Sequence, residues 1–297
     1  MSTTRREFFA YSGAAALASA LASGLGPQSA SARAAAGATT GPKQIKFRGV
    51  GGRTGALRGS IGSLATAKKC GLDAIEIEAG GAADKLECSD ADAQKEFLAE
   101  VEKTGVAMSS ICMGLCNSYP VFSEPRAKSW LEQTIDATAA LGAKNILVAF
   151  FGKGNLKGNA EAKAKTIEVV KSVAERAEQK GVALGLENTL SAEENIEMVE
   201  KIGSPFVRVY YDIGNSAGAG YDVPKEIRML GTKHINQMHF KDGNALLGQG
   251  RINMAAVAKA VIEIGYQGWI ILETDAPLGN DLSWAFNAGF VRGLLAV

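Results

Sequence analysis

Eight short runs of β-forming residues alternate along the chain with longer stretches whose apolar side chains recur at helical spacing. The runs occupy residues 45–51, 72–80, 106–113, 145–152, 182–188, 206–215, 235–240 and 268–274. The helical stretches occupy residues 60–70, 90–104, 126–141, 160–180, 192–202, 223–231, 254–264 and 281–294. The runs are almost continuously apolar, which is typical of parallel strands that are buried on both faces. This alternation indicates an α/β fold built on a parallel sheet.

The ends of the helical stretches and the length of the chain favour one closed barrel. Six stretches end at a glycine, the residue that most readily adopts the left-handed conformation after a helix. These glycines are Gly71, Gly105, Gly142, Gly181, Gly203 and Gly265. No G-x-G-x-x-G sequence follows the first run, which disfavours a doubly wound nucleotide-binding sheet. Eight βα units need roughly 250 residues, so we expect residues 43–297 to form a single (β/α)₈ TIM barrel.

The N-terminal segment, residues 1–37, has the composition of an export signal. Arg5 and Arg6 precede a short stretch rich in alanine and leucine, which is followed by small-residue A-x-A sites. The arginine pair resembles a twin-arginine signal, which is read by the twin-arginine export machinery. The apolar stretch is too short to cross a bilayer as a helix of about 20 residues. The segment therefore predicts an exported, periplasmic or extracellular protein without stable membrane insertion, whose first 37 residues are cleaved or disordered.

The charge balance and the cysteine content exclude several classes of protein. The chain has 32 basic and 31 acidic residues, so it offers no basic field for a nucleic-acid backbone. Its cysteines form no C-x-x-C pair, which argues against a zinc ribbon or a redox motif. We expect Cys70, Cys88, Cys112 and Cys116 to be buried as small apolar residues, although export would permit a disulfide.

Four residues with metal-binding side chains stand at the C-terminal ends of four successive runs. They are Glu187, Asp212, His239 and Glu273, spaced 25, 27 and 34 residues apart. One strand and its returning helix take about 30 residues in a barrel, so the four residues would reach the same rim from strands 5 to 8. Three carboxylates and one imidazole suit Mn²⁺, Mg²⁺, Zn²⁺ or Co²⁺ and argue against copper or an iron–sulfur cluster. We therefore predict one divalent metal ion, with Mn²⁺ favoured.

The two glutamates of this set also suit catalysis by proton transfer. A metal that binds two oxygens of a hydroxy-carbonyl compound lowers the pKa of the C–H group between them. Glu187 and Glu273 come from runs far apart around the ring, so they could flank a substrate as general acid and base. Asp212 and His239 would act as ligands alone. The sequence thus predicts proton transfer on a hydroxy-carbonyl compound.

The segments "LENTLSAEE", "YYDIGN", "MHFKD" and "GYQGWIILET" resemble the sugar phosphate isomerase/epimerase family of xylose isomerase-like TIM barrels. The resemblance implies that Glu187, Asp212, His239 and Glu273 bind the metal. In ketose 3-epimerases of this family, a substrate-binding glutamate follows the first ligand by six positions, which corresponds to Glu193.

Two departures from the epimerase pattern concern substrate binding. The epimerases have a histidine three positions after the aspartate, where this chain has Asn215, which can hydrogen-bond a sugar hydroxyl. They also have an arginine shortly after the metal-binding histidine, for which Lys241 or Arg251 would substitute. On the second run, Glu78 is nearer the predicted rim than Glu76, so Glu78 is the predicted substrate-binding residue of that pair.

These observations favour a divalent-metal-dependent isomerase or epimerase that acts on a sugar or keto-sugar next to a carbonyl. The alternatives are a metal-dependent dehydratase or lyase acting on a keto-sugar or keto-glycoside at the same site, and a non-catalytic sugar-binding relative. An endonuclease IV-like enzyme would need many more imidazole ligands than the two histidines of this chain. Because phosphorylated sugars are largely kept inside cells, export would favour an unphosphorylated substrate. No feature of the sequence indicates an oligomeric state.

Overall fold

The computed structural model describes residues 49–295, which form eight strands arranged in a ring. The strands are β1 (Gly49–Ala56), β2 (Ala74–Glu78), β3 (Ala107–Met113), β4 (Asn145–Ala149), β5 (Ala183–Glu187), β6 (Val207–Asp212), β7 (Ile235–Phe240) and β8 (Trp269–Leu272). All neighbouring strands are parallel and follow the order of the sequence, and β8 pairs with β1 to close the barrel. The predicted single (β/α)₈ barrel is confirmed.

Ten α-helices occur within the described residues, and most of them lie between successive strands. They are α1 (Leu57–Ser60), α2 (Ser63–Lys69), α3 (Ala91–Thr104), α4 (Ala127–Ala140), α5 (Ala160–Lys180), α6 (Ala192–Ile202), α7 (Ile213–Gly218), α8 (Val223–His234), α9 (Met254–Glu263) and α10 (Asn280–Leu295). Several begin at a side chain that accepts a hydrogen bond from the first turn, which satisfies an otherwise unpaired N–H group. At α6, Ser191 and Glu194 form a complete capping box.

The observed elements differ from the predicted ones at four places. The first strand continues to Ala56, past its predicted end at residue 51, while predicted residues 45–48 lie outside the described residues; the stretch predicted as one helix over 60–70 is divided into α1 and α2. The sixth strand ends at Asp212, because Asp212 caps the short helix α7. The eighth helix continues past residue 231 to His234 across a kink at Gly231, which has φ of 56°. The predicted signal, residues 1–37, lies outside the described residues.

The six predicted glycine stops all have the left-handed backbone conformation. Their φ angles lie between 63° and 80°, a region that side chains with a Cβ atom rarely adopt. At Gly105, for example, the backbone N–H donates to the Val101 carbonyl and closes α3. The glycines therefore end the helices at the places where the chain turns back into the barrel.

The interior of the barrel is lined by alternate residues of the strands, since successive side chains of a strand point to opposite faces. Toward the N-terminal ends, Ala74, Trp269 and Ile271 form a small apolar cluster. Next along the strands lies a set of hydrogen-bonded polar side chains, called here the polar layer. Its members are Glu76, Ser110, Asn145, Tyr210 and Gln237. The large apolar core packs the outside of the barrel against the helices.

All four cysteines are buried as free thiols, as the sequence predicted. Burial raises the pKa of Cys112 and Cys116, so both remain protonated and unreactive. Between residues 49 and 295, no helix is both long and apolar enough to cross a membrane.

Candidate metal centre

The four predicted ligand residues meet at the C-terminal end of the barrel. Glu187 is the last residue of β5, Asp212 is the last of β6, His239 lies in β7, and Glu273 follows β8. One donor atom from each residue lies within 4.8 Å of the others. This set of four is called here the ligand cluster. The convergence results from the closed barrel, which brings the ends of consecutive strands to one rim.

The imidazole of His239 is at the centre of the cluster, and its two nitrogens have different neighbours. Nδ1 lies 3.3 Å from Glu187 Oε1, 3.6 Å from Asp212 Oδ2 and 3.4 Å from Glu273 Oε2. Nε2 lies 3.0 Å from Oε1 of Glu76, on the opposite side of the ring. His239 is fully buried. Nδ1 is therefore the nitrogen that faces the three carboxylates.

The donor set fits a hard divalent ion. Oδ1 of Asp212 accepts a 2.7 Å hydrogen bond from the Asn215 backbone, whereas Oδ2 is buried and accepts none from the described residues. Lys241 Nζ lies 2.9 Å from this Oδ2 and forms an ion pair with Asp212. Donor atoms bound at 2.0 to 2.3 Å are at most about 4.6 Å apart, so small side-chain movements would place all four around one ion. An oxygen-rich set with one imidazole suits Mn²⁺, Mg²⁺ or Zn²⁺.

Glu273 is flanked by two cations. Arg53 of β1 donates to Glu273 Oε1, and its other terminal nitrogen lies 2.5 Å from Glu78 Oε1. Lys241, two residues after His239, donates to Glu273 Oε2 at 2.6 Å. Although burial alone would raise the pKa of Glu273, the charges of His239, Lys241 and Arg53 hold it well below its ordinary value. Glu273 is therefore a carboxylate throughout the physiological range.

Glu187 has a different environment. Its side chain is almost fully buried, and Asn215 Nδ2 donates to its Oε1 at 3.0 Å. Burial raises the pKa of Glu187 to about 7, with Asp212 and Glu273 adding to the rise while His239 opposes it. A carboxyl group with a pKa near 7 can both accept and donate a proton at neutral pH.

The predicted substrate-binding residues divide into two groups. Asn215, Lys241 and Glu78 lie at the rim, and each contacts a member of the ligand cluster or Arg53. Glu193 is exposed in the first turn of α6, and Arg251 is exposed after a loop whose backbone is bound by Asp242. Among the described residues, no hydrogen bond or ion pair joins either of these two to the ligand cluster.

The close approach of Lys241 depends on a glycine. A Cβ atom at Gly214 would lie 2.3 Å from Lys241 Cγ and 2.9 Å from Cε. Only a residue without a side chain at this position leaves room for the lysine stem to reach Asp212 and Glu273. Gly214 follows Asp212 by two residues, so the same short segment positions a ligand and admits the lysine.

Two residues of the site were not among the predicted ones. They are Arg53, which contacts Glu273, and Glu76, which is fully buried and contacts His239. A usable signal existed for the residues beneath the cluster, because alternate residues of a strand share a face. Two positions before Asp212 and His239 stand Tyr210 and Gln237, and two positions before Glu78 stands Glu76. A polar residue two positions before a ligand is therefore a candidate to support it.

Comparison with known proteins agrees with this architecture. The xylose isomerase-like TIM barrel family matches residues 64–292. A protein of Escherichia coli K12 assigned as an L-ribulose-5-phosphate 3-epimerase is 25% identical over 236 residues, which are 71% of this chain and 82% of that protein. A 2-epi-5-epi-valiolone 7-phosphate 2-epimerase of Actinoplanes sp. is 25% identical over 243 residues, 76% of this chain and 88% of that enzyme.

Among solved structures, a D-psicose 3-epimerase crystallised in the presence of D-fructose superimposes with a TM-score of 0.71. The match covers 84% of this chain and 100% of that one, at 18% sequence identity, so it shows the shared fold. The closed parallel barrel and the match of the family over most of the sequence lead to one conclusion. This chain belongs to the xylose isomerase-like TIM barrel family, whose members similar to it include sugar epimerases.

Proposed function

We propose that the protein is a divalent-metal-dependent isomerase or epimerase that acts on a sugar or keto-sugar by proton transfer next to a carbonyl. The observation that carries the proposal is the meeting of Glu187 and Glu273, from β5 and β8, with Asp212 and His239 in one cluster. The two curated relatives, both epimerases of phosphorylated sugars or cyclitols by name, support the reaction class. Mn²⁺ is the ion that we favour for this oxygen-rich set.

A divalent ion held by the ligand cluster would polarise the oxygens of a bound hydroxy-ketone and so acidify the C–H group between them. Glu187 is the carboxylate suited to accept that proton, because Asn215 donates to its Oε1 and no lysine or arginine among the described residues forms an ion pair with it. In an epimerisation, a proton returns to the same carbon from the opposite face, and Glu273, which is charged before the reaction, would have to take up a proton from solvent before donating it. In an isomerisation, the proton returns to the neighbouring carbon. Both reactions conserve the mass of the substrate.

Cations at the rim position the oxygens of the substrate. Lys241 and Arg53 each retain partial exposure while they donate to Glu273. Their remaining N–H groups can donate to a sugar hydroxyl or to the negative charge that develops on the carbonyl oxygen. Asn215 can do the same on the Glu187 side. The rim thus offers hydrogen-bond donors on both sides of the reacting carbon.

The charges at the site favour a substrate without a phosphate group. Five carboxyl groups lie in or beside the ligand cluster: Glu76, Glu78, Glu187, Asp212 and Glu273. Apart from His239, the cations that form ion pairs with them among the described residues are Arg53 and Lys241. One divalent ion would roughly balance the remaining charge, so no cation is left to bind a phosphate in the cluster. An uncharged sugar or keto-sugar fits this balance best.

The test is a mass-resolved screen of ketoses, aldoses and 3-keto-sugars with protein loaded with Mn²⁺ and with protein treated with a chelator. We expect a product of unchanged mass that forms only in the metal-loaded sample, and deuterium incorporation next to the carbonyl in D₂O. Loss of water or of a larger group from the substrate would indicate the lyase alternative. Tight sugar binding without turnover would indicate a non-catalytic relative, and a preference for a sugar phosphate would contradict the uncharged substrate.

We also propose that residues 1–37 direct export of the folded chain. The arginine pair Arg5 and Arg6 and the apolar stretch that follows support this proposal. Loading before export would let Mn²⁺ bind by availability, ahead of ions of higher intrinsic affinity. Replacing both arginines with lysine should leave metal-loaded precursor in the cytoplasm. Unchanged export of that variant would contradict the proposal.

A further inference from the structure

The buried carboxylate Glu76 lies beneath the ligand cluster and is not used by the proposed reaction. Its Oε1 atom is 3.0 Å from Nε2 of His239, and its Oε2 atom accepts 2.7 Å hydrogen bonds from Ser110 Oγ and Tyr210 Oη. Glu76 is fully buried. A buried charge is costly unless it is fully hydrogen-bonded, so each of these contacts stabilises the ionised form.

The directions of the hydrogen bonds follow from the donors available. Nε2 of Gln237 is an NH₂ group, and it donates to Ser110 Oγ at 2.6 Å and to Tyr210 Oη at 2.8 Å. The two hydroxyl groups accept these bonds, so their own hydrogens are directed to Glu76. Asn145 Nδ2 donates to Gln237 Oε1 at 2.6 Å, which orients the amide so that its NH₂ group faces the hydroxyls.

The result is a chain of hydrogen bonds with one direction, from Asn145 through Gln237 and the two hydroxyls to Glu76. Because Oε2 of Glu76 already accepts two hydrogen bonds, its Oε1 is the acceptor that faces His239. The hydrogen bond to the Glu76 carboxylate keeps a hydrogen on Nε2, so Nδ1 is the nitrogen that is left to bind a metal ion. Nδ1 is the nitrogen that faces the three carboxylates of the cluster.

The ring of Tyr210 also restricts the orientation of the imidazole. The two ring centroids are 4.6 Å apart and the planes meet at 62°, an edge-to-face contact. Burial and the nearby Glu76 charge raise the pKa of Tyr210 well above its ordinary value, so its hydroxyl remains a donor. The polar layer joins strands β2, β3, β4, β6 and β7, so several strands contribute to the placement of one imidazole.

We propose that Glu76 is a positioning residue for the metal site, and that the polar layer holds His239 with its hydrogen on Nε2 so that Nδ1 binds the ion. This inference rests on the proposed metal site. A carboxylate on the second nitrogen also increases the basicity of an imidazole ligand, and loss of such a partner typically weakens metal binding 10- to 100-fold.

The first test measures the dissociation constants of Mn²⁺ and Zn²⁺ by calorimetry on chelator-treated protein. Glu76→Gln keeps the size of the side chain but replaces one of two acceptor oxygens with a donor, so it cannot accept from both the imidazole and the hydroxyls. We expect a roughly 10- to 100-fold weaker affinity for this variant. Tyr210→Phe removes one of the two hydroxyl donors to Glu76. Because Tyr210 acts on His239 only through Glu76, we expect this variant to weaken metal binding by less, about 3-fold.

The chain contains a matched control pair outside the barrel, formed by a tyrosine of β6 and a glutamate of α8. Tyr211, next to Tyr210 on β6, directs its hydroxyl to the carboxylate of Glu226 at 3.4 Å, away from the ligand cluster. Glu226→Gln and Tyr211→Phe make the same chemical changes at a buried carboxylate and a buried tyrosine. We expect both controls to bind the ions within about 2-fold of the unchanged protein, because neither residue contacts His239.

A direct test uses the ¹⁵N chemical shifts of His239 in protein loaded with diamagnetic Zn²⁺. We expect a hydrogen-bearing Nε2 and a metal-bound Nδ1 in the unchanged protein, and an upfield move of the Nε2 hydrogen resonance in Glu76→Gln as its bond to a carboxylate is lost. Metal bound to Nε2 in the unchanged protein, or equal affinity of Glu76→Gln and the unchanged protein, would overturn the inference. Absence of metal binding in the unchanged protein would instead overturn the proposed function.

Discussion

The two glutamates of the ligand cluster lie in contrasting environments. On one side, Glu187 is buried, accepts a hydrogen bond from the neutral amide of Asn215, and has its pKa raised to about 7 by burial. On the other, Glu273 keeps a small exposed fraction and contacts Arg53 and Lys241. Burial would raise the pKa of Glu273, but the positive charges around it hold that pKa well below its ordinary value. Two identical side chains, placed at equivalent strand ends, thus have opposite tendencies to hold a proton.

This difference indicates how a symmetrical set of residues can perform an asymmetrical reaction. The closed barrel supplies equivalent positions at the ends of β5 and β8, and the neighbours make these positions unequal. On the Glu187 side there is no charged lysine or arginine in contact among the described residues, whereas the Glu273 side has two such cations. Glu187 is therefore the residue suited to exchange protons with the substrate, and Glu273 the one suited to remain charged.

The strongest test of this division replaces each glutamate in turn with glutamine. We expect both Glu187→Gln and Glu273→Gln to reduce turnover at least about 10²-fold, Glu187→Gln through loss of proton transfer and Glu273→Gln through loss of a charged ligand on the other side of the cluster. The incorporation of solvent deuterium next to the carbonyl should fall together with turnover. The metal content of each variant must be measured in the same samples. A variant with normal metal content and normal rate would remove that glutamate from the mechanism.

The pH dependence of stability should separate the two sides in metal-free protein. The folded state keeps a proton on Glu187 up to about pH 7, whereas the unfolded chain loses it near its ordinary pKa of 4.5. The free energy of unfolding should therefore fall as pH rises between these values, by up to about 3 kcal/mol, since one pKa unit corresponds to about 1.4 kcal/mol.

Thermal unfolding of the unchanged protein and of Glu187→Gln in the presence of a chelator checks this expectation. The difference in stability between the two should change in favour of the variant as pH rises from 4.5 to 7. Glu273 acts in the opposite sense, because its lowered pKa adds stability above pH 4.5 that is lost in more acidic solution. Parallel stability curves for the unchanged protein and Glu187→Gln would contradict the environment inferred for Glu187.

A smaller effect is expected from the partners of the two glutamates. Lys241 Nζ lies within 3 Å of oxygens of both Asp212 and Glu273, so it repels an incoming cation. Lys241→Met should tighten Mn²⁺ binding about 10-fold at low ionic strength while it raises KM for the substrate. The comparable change on the other side, Asn215→Ala, removes a neutral donor and should alter Mn²⁺ affinity no more than about 2-fold. Equal changes in Mn²⁺ affinity for Lys241→Met and Asn215→Ala in a calorimetric titration would contradict the electrostatic difference between the two sides.

The smallest expected effect sharpens the same comparison without changing a charged residue. In Gly214→Ala the added Cβ atom would meet the stem of Lys241 at 2.3 Å and displace the ammonium group. We expect Mn²⁺ affinity to rise about 3-fold, in the same direction as in Lys241→Met but by less, because the charge stays nearby. Gly218→Ala, where a Cβ atom meets nothing within 4 Å, serves as the control. An affinity unchanged in Gly214→Ala would mean that Lys241 can bypass the added methyl group.

Most of the fold could be predicted because its signals are local. Apolar runs of strand length, and a glycine after six of the helical stretches, indicate where the chain turns without regard to contacts across the barrel. The ligand cluster could be predicted for a related reason, since residues at the ends of consecutive strands must meet at one rim. The short helix α7 was not predicted, although its cap is also local, since the Asp212 side chain accepts from the backbone of Asn215 three residues later.

The environments of the site residues could not be predicted, because they depend on pairs far apart in the sequence. Arg53 and Glu273 are separated by 220 positions, and Glu76 and His239 by 163. Which of Glu76 and Glu78 meets His239 is set by the register between strands, including the shifts in the pairing of β2 with β3 and of β6 with β7. Glu76 and Glu78 share one face of β2, so the register decides which of them lies level with His239. The roles of Glu193 and Arg251 remain predictions, since both are exposed away from the cluster.

The most direct test of the metal site is a calorimetric titration of Mn²⁺ into chelator-treated protein, followed by elemental analysis of the metal-loaded protein. The ligand atoms of Glu187, Asp212, His239 and Glu273 lie within 4.8 Å of one another, so we expect one ion per chain. His239→Ala and Asp212→Ala should each abolish this binding; both side chains are buried, so circular dichroism must show that each variant folds before its affinity is interpreted. Failure of the unchanged protein to bind Mn²⁺, Mg²⁺, Zn²⁺ or Co²⁺, or full occupancy in both variants, would contradict the account.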